Sequence, residues 1–269
     1  MFKRRTAINN YKVFVMFLLL TNTQHNLSAQ KMTFRKIENK AFSVGEKLTF
    51  DVKYGFVTAG VAEMSIPKIS KLAGRDVYNI TFQVNTVSAF DPFYKVRDRY
   101  ATYLDTEGIF PWRFEQHIRE GGYSRDFSAF FDQRRGIAKT SEGSYEIPQY
   151  VNDILSAFYL ARTFDYSEMK SGDKFNLQNF YKDKVYPLDV VFRGRERVSV
   201  AAGEFDCIIV EPLVVAGGLF KSEGSILIWL TDDQLKIPVK VKTKIIIGSI
   251  DAELTNYEGL SAKLTSKVK

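Results

Sequence analysis

The chain has 269 residues, with 38 basic and 31 acidic side chains, a formal charge of +7, and a composition 45% hydrophobic and 14% aromatic. This apolar content excludes a wholly disordered chain, and the length suffices for one large domain or two small ones. One Cys and two His exclude an internal disulfide, a cysteine-rich zinc site and a three-histidine metal centre.

The N-terminus reads as an export signal. Lys3, Arg4, Arg5 and Lys12 form a positive region, and Val13 to Leu20 is an uninterrupted apolar run. The run is too short for a membrane-spanning helix, which needs about 20 residues. It fits the core of a secretory signal, with Ala29 as the last residue before cleavage. Residues 1–29 carry four basic and no acidic side chains, so 30–269 keeps 34 basic against 31 acidic. Most of the apparent basicity therefore belongs to targeting. No nucleic-acid module and no membrane span is expected in 30–269, which should form a single β-rich domain.

The rest of the chain has mainly a period of two. Leu48, Phe50, Val52 and Tyr54 alternate with Lys47, Thr49, Asp51 and Lys53. The segments Tyr78 to Val84, Phe110 to Phe114, Tyr186 to Phe192 and Val239 to Val241 repeat the pattern. Such alternation predicts antiparallel strands with one face in a core. Turn sequences such as Ala73-Gly74-Arg75-Asp76, Glu120-Gly121-Gly122 and Ala202-Gly203-Glu204 separate them.

Between Tyr150 and Phe164 the period changes. Val151, Ile154, Leu155, Phe158 and Tyr159 recur at offsets of three and four, which predicts an amphipathic helix over 150–164. Its apolar stripe needs a sheet to pack on. The flanking regions, about 42–147 and 170–260, look like two similar halves. Gly45-Glu46-Lys47-Leu48 matches Gly172-Asp173-Lys174-Phe175, and two further turn-and-strand pairs match, at offsets of 127, 129 and 126 residues. The expected fold is mainly β: antiparallel curved sheets or an open barrel-like structure built from two similar halves, with one central helix. Periodicity leaves one continuous sheet and two packed sheets both open.

Candidate chemistry is sparse. His117, the one histidine after residue 29, lies on a charged strand face with no nucleophile pattern around it, and is read as a surface group. Cys207 alternates with Phe205 and Ile209 and is read as a buried small hydrophobe. Arg97, Arg99 and Tyr100 follow an aromatic loop, Phe90-Asp91-Pro92-Phe93-Tyr94, and Arg125 with Asp126 lies on a nearby strand. Such a cluster can take a carboxylate or phosphate by bidentate hydrogen bonds, the alternative being cross-strand salt bridges. The run Arg193 to Arg197 reads as a hairpin tip or outer strand. The apolar loop from Leu213 through Gly217 and Gly218 to Phe220 is a candidate flap over a hydrophobic cavity. No metal site, cofactor motif or catalytic signature is present.

The export signal together with GEKLTFDVKYGFVTAGVAEM at 45–64, YVNDILSAFYLAR at 150–162 and GEFDCIIVEP at 203–212 resembles an uncharacterised family of exported proteins of Gram-negative bacteria, the domain of unknown function number 3108. The resemblance covers roughly 40–260. It implies a β-rich protein of the periplasm or the periplasmic face of the outer membrane, and it brings no activity or catalytic residues. At fold level the chain is also similar to open barrels that shield lipids in envelope transport. The reading favours a non-catalytic binding or carrier protein for an apolar or amphipathic envelope component. A structural or protein-interaction module of the envelope and an unrecognised hydrolase are the alternatives.

Overall fold

The computed structural model describes residues 33–213, 225–244 and 248–268. The expected signal at 1–29 lies outside them, as do Gly217, Gly218 and Phe220 of the expected flap. Residues Phe34–Lys269 form one compact unit.

Among the described residues eight strands precede a single helix and six follow it. They are β1 (Lys47–Tyr54), β2 (Val57–Leu72), β3 (Arg75–Thr86), β4 (Arg97–Asp105), β5 (Pro111–Glu120), β6 (Tyr123–Asp132), β7 (Ile137–Thr140) and β8 (Ser144–Glu146). After α1 (Ile154–Ala161) come β9 (Lys174–Tyr181), β10 (Lys184–Val200), β11 (Gly203–Leu213), β12 (Ile226–Thr231), β13 (Pro238–Lys244) and β14 (Ser249–Glu258). All belong to one antiparallel sheet of order β8-β7-β6-β5-β4-β3-β2-β1-β14-β13-β12-β11-β10-β9. Each half is a meander, and the two join where β1 pairs with β14, Leu48 opposite Tyr257. The choice that periodicity left open falls to one continuous sheet.

The sheet is not closed by strand pairing, because β8 and β9 are its edges. The seam between them is crossed by the segment entering α1. Asn152 donates its amide to the Gln178 carbonyl at 2.8 Å, and Phe180 donates to the Asn152 carbonyl at 2.7 Å. Phe131 and Tyr145 pack on Phe180, at ring separations of 5.8 and 5.9 Å. This arrangement protects part of both edges, which otherwise offer unpaired backbone groups.

The helix is shorter than the expected 150–164, and the reason is local. Tyr150 has φ of +64°, and Asn152 is committed to the seam. Asp153 is extended and acts as N-cap, accepting from the amides of Leu155 and Ser156 at 2.8 and 2.9 Å. Ser156 Oγ accepts in turn from the Asp153 amide, which completes a capping box. Val151 belongs to the helical spacing but is buried in the seam cluster with Phe127, Phe131 and Phe180. Arg162 ends the helix as its C-cap.

The two halves repeat in hydrogen bonding as well as in sequence. Gly45 donates to the Ile66 carbonyl, Ile66 to Glu46, and Glu46 to Ser43. Gly172 donates to Phe192, Phe192 to Asp173, and Asp173 to Lys170. Both glycines have positive φ, +101° and +99°, where a side chain would be strained. Farther on, Asp105 donates to the Phe110 carbonyl and Thr231 to Ile237, with Ile109 and Lys236 at matching positive φ of 49° and 44°.

Candidate functional site

The inward-facing side chains do not fill the space the curved sheet encloses. A cavity of about 1520 Å³ remains above α1, larger than the usual small-molecule pocket of roughly 300–1,000 Å³. Its base is the cavity-facing side of the helix, with Ile154, Ala157, Phe158 and Ala161. One wall is Phe50, Val52, Ala62 and Met64 of β1 and β2. The facing wall is Leu188, Val190, Val210 and Ile228 of the second half. Small residues make the room. At Gly60 a β-carbon would stand 2.7 Å from the Asn85 carbonyl oxygen, so the backbones of β2 and β3 approach there as only glycine allows.

Among the described residues the cavity opens at one end and is shut at the other. Tyr54, Tyr94, Leu213 and Ile250 line it and are 44%, 50%, 39% and 40% exposed. At the far end lie the fully buried Ile109, Phe110, Leu235 and Ile237. There Arg162 pairs with Glu46, and Phe42 stacks edge-on against Tyr159 at 4.8 Å.

On β4 and β5 the lining carries a polar strip, besides scattered polar groups such as Lys53, Thr86 and Asn179. Asp98 and Tyr100 project inward from β4, and Gln116 and Glu120 from β5, with Tyr100 opposite Gln116 in register. Asp98 is buried and accepts from the Arg119 amide at 2.8 Å. Burial pushes the Glu120 carboxyl up, helped by the negative charge of Asp98 and a hydrogen bond to it. Burial also raises the Tyr100 phenol to about 12, against a hydrogen bond with Gln116 that lowers it. Tyr100 is thus a neutral hydroxyl that can donate or accept. An apolar cavity with one hydrogen-bonding strip suits a molecule with a long apolar body and a polar end.

The residues singled out in the sequence are divided by strand alternation. Tyr100 and Leu213 line the cavity. Arg97 and Arg99 face away from it: Arg97 binds Asp91 at 2.6 Å, and Arg99 lies 3.8 Å from Glu115. Arg125 sits over the Phe127 ring and binds Glu142 at 2.8 Å, outside the cavity lining. Asp126, on the opposite face of β6, binds His117 and Arg119, each at 2.8 Å. The structure does not bring these arginines together into one anion site. Arg193, Arg195 and Arg197 lie inside β10 and pair with Glu211, Asp232 and Asp206 at 2.6 to 2.8 Å, as an outer face would. Cys207 is buried. Sequence reasoning passed over Asp98, Gln116 and Glu120 as site residues. The available signal was a polar residue on the apolar side of an alternating strand, as Gln116 is between Phe114 and Ile118.

Among the described residues no group of His, Cys, Asp and Glu is arranged to hold a metal ion, and no helix is long and apolar enough to cross a membrane. The family model described as "Protein of unknown function (DUF3108)" matches residues 49–255. No curated protein matches the chain. The chain is similar in structure to a β-barrel-like protein of the domain of unknown function DUF1849 from Brucella abortus, with a TM-score of 0.51 and 11% identity over 80% of this chain and 97% of that one. A protein of Bacteroides fragilis with a YmcC-like fold has a TM-score of 0.35 and 10% identity, over 84% of this chain and all of that one.

Proposed function

The chain belongs to the DUF3108 family of proteins of unknown function, and we propose that it is a non-catalytic binding or carrier protein for an apolar or amphipathic component of the cell envelope. The observation that carries this reading is the cavity: about 1520 Å³, walled largely by aliphatic and aromatic side chains, open at one end among the described residues and with a polar strip on β4 and β5. Apolar surface left uncovered inside a protein forgoes stabilisation, about 25 cal/mol per Å², and a cavity of this size forgoes packing as well. A ligand with an acyl or isoprenoid body would recover both, and its polar end would meet Asp98, Tyr100, Gln116 and Glu120. The signal-like segment at 1–29 supports an exported location, in the periplasm or on the periplasmic face of the outer membrane.

The Asp98–Glu120 pair is the one observation that favours a hydrolase instead. Glycoside hydrolysis by two carboxylates needs them about 5 to 9.5 Å apart, with room for a sugar or a water. Here Asp98 lies near enough to Glu120 to raise its carboxyl, and the two share one strip with Tyr100 and Gln116, as a headgroup contact would.

The test is native mass spectrometry with solvent extraction of the protein purified from the periplasm. A defined co-purifying amphiphile, retained through size exclusion, is the expected result. Protein that stays ligand-free after incubation with extracted envelope lipids would overturn the reading.

A further inference from the structure

The strands run alternately up and down, so every second connection falls at the open end of the cavity. Among the described residues these are the β1–β2, β3–β4, β5–β6, β7–β8 and β9–β10 connections, together with the ends of β13 and β14 at Lys244 and Ser249. The β1–β2, β3–β4 and β5–β6 tips are apolar. Phe56, at the β1–β2 turn, is 107% exposed, and Phe93, in the β3–β4 loop, is 82% exposed. Val57, Tyr94 and Tyr123 are exposed at the same end. Most of the exposed large hydrophobic side chains among the described residues are here, around the mouth. Such a concentration marks a surface that meets something apolar.

The charges on the same tips say what it meets. Lys95 follows Phe93 and Tyr94, Lys184 closes the β9–β10 turn opposite Tyr181, and Lys244 ends β13 opposite Ser249. All three are exposed and none forms a salt bridge among the described residues, while Asp91 feels the charge of Lys95 and Asp183 lies beside Lys184 and Lys182. On the flanks of the sheet the pattern is different, with lysines and arginines largely tied to carboxylates, as Lys53 is to Glu253 and Arg193 to Glu211. Protein interfaces deplete lysine. Aromatic tips beside lysines outside salt bridges instead match an anionic lipid surface, where rings enter the interface and ammonium groups stay with the headgroups.

We propose that the open end of the sheet docks on an anionic lipid bilayer, with Phe56 and Phe93 inserted and Lys95, Lys184 and Lys244 at headgroup level. Docking in this pose faces the cavity mouth toward the membrane, so that an amphiphile passes between them without crossing water. The surface itself stands on the exposed side chains. Its purpose rests on the carrier reading above.

The experiment is sedimentation of the periplasm-purified protein with vesicles of phosphatidylethanolamine and phosphatidylglycerol, and with vesicles of phosphatidylcholine alone. Binding should favour the anionic vesicles and weaken with salt. The double variant Phe56→Ser with Phe93→Ser should bind at least about tenfold more weakly. The triple variant with Lys95, Lys184 and Lys244 each changed to Glu should lose the anionic preference. Since all five side chains are exposed, thermal melts should match the parent. In Phe93→Trp, fluorescence should be quenched by brominated lipid, while the buried Trp112 and Trp229 of the parent should not respond. No sedimentation of the parent, equal binding by the double variant, or an unquenched Phe93→Trp would each overturn docking. Extraction of co-purified lipid from the same variants keeps the two proposals apart. Retained cargo with lost vesicle binding supports docking, whereas absence of cargo in every form with vesicle binding intact defeats only the carrier reading.

Discussion

Arg162 and Glu46 form a bidentate ion pair with both side chains out of contact with solvent. Nη1 donates to Oε1 and Nη2 to Oε2, each at 2.7 Å, and the side chains are 0% and 1% exposed. The pair ties the end of α1 to the residue that opens β1. Arg162 also donates to the carbonyls of Ala41 and Leu235. It thus joins the helix to both halves of the sheet at the closed end of the cavity.

Removing one partner should therefore be far worse than removing both. Arg162→Ala leaves a buried carboxylate unpaired and should cost about 3–5 kcal/mol. Arg162→Met combined with Glu46→Leu should recover most of that loss, since the desolvation of two charges is removed together. Urea unfolding of the two single variants and the double variant measures this. A double variant as unstable as the singles would show that the pair matters for more than charge balance.

Asp153 and Asp105 should give stability opposite pH dependences. Asp153 is wholly buried, and burial raises its carboxyl to about 6, against hydrogen bonds from Thr102, Ser156 and Leu155 that lower it. The folded chain then holds this proton more tightly than the unfolded chain, where the value is about 3.9. The contribution is most favourable below about pH 4 and is lost as pH rises through about 6. At Asp105 burial also raises the carboxyl, but hydrogen bonds from Arg75, Trp112 and Gly108 outweigh it and hold it below the usual range. That contribution is present above the unfolded value and is lost as pH falls. Asp153→Asn keeps a good N-cap and removes the titration. It should match the parent near pH 4 and exceed it at pH 8 by up to roughly 3 kcal/mol. Parallel stability profiles from pH 4 to 8 would refute the assignment.

Filling the cavity should remove ligand without unfolding the protein. Ala252 lines it from β14, opposite Val52 of β1 and Val241 of β13. Ala252→Trp projects an indole into open space, so its melting temperature should stay within a few degrees of the parent, about 1 kcal/mol. Retention of a fluorescent fatty acid should fall at least about tenfold, or about 1.4 kcal/mol. His117→Trp, on the outer face, is the control and should change nothing. Equal retention by both variants would place the ligand elsewhere.

Cys207 should be chemically silent while the protein is folded. It is 1% exposed, and burial, followed by the nearby Asp206 and Glu196 charges, pushes its thiol up to about 12. A thiol needs its thiolate to react. Ellman's reagent should release no colour from the native protein and one equivalent after denaturation. Rapid reaction of the native protein would show that β11 opens locally.

Much of the fold was legible because a strand exposes alternate residues to different solvents. The inward face of β1, with Leu48 and Phe50, could be read directly from its alternation, and so could the outward position of His117. The recurrence of Gly45 and Gly172 marked two halves whose hydrogen bonds repeat. The helix boundaries were less legible, since Val151 fits the helical spacing while packing in the seam. The polar strip was hardest to see. Asp98 and Glu120 look like ordinary solvated carboxylates, and only the curvature of the sheet brings them to one interior surface.

By itself the sequence determined the strand faces, the turns between them and the presence of one helix, because these depend on residues two to four positions apart. The tertiary structure decided that β1 meets β14, that the seam at β8 and β9 is held by Asn152, and that Arg162 finds Glu46 across 116 residues. It also decided that the enclosed space is left open at one end. Those outcomes depend on how strand twist and curvature accumulate over fourteen strands, a sum to which every strand contributes and which no short stretch of sequence records.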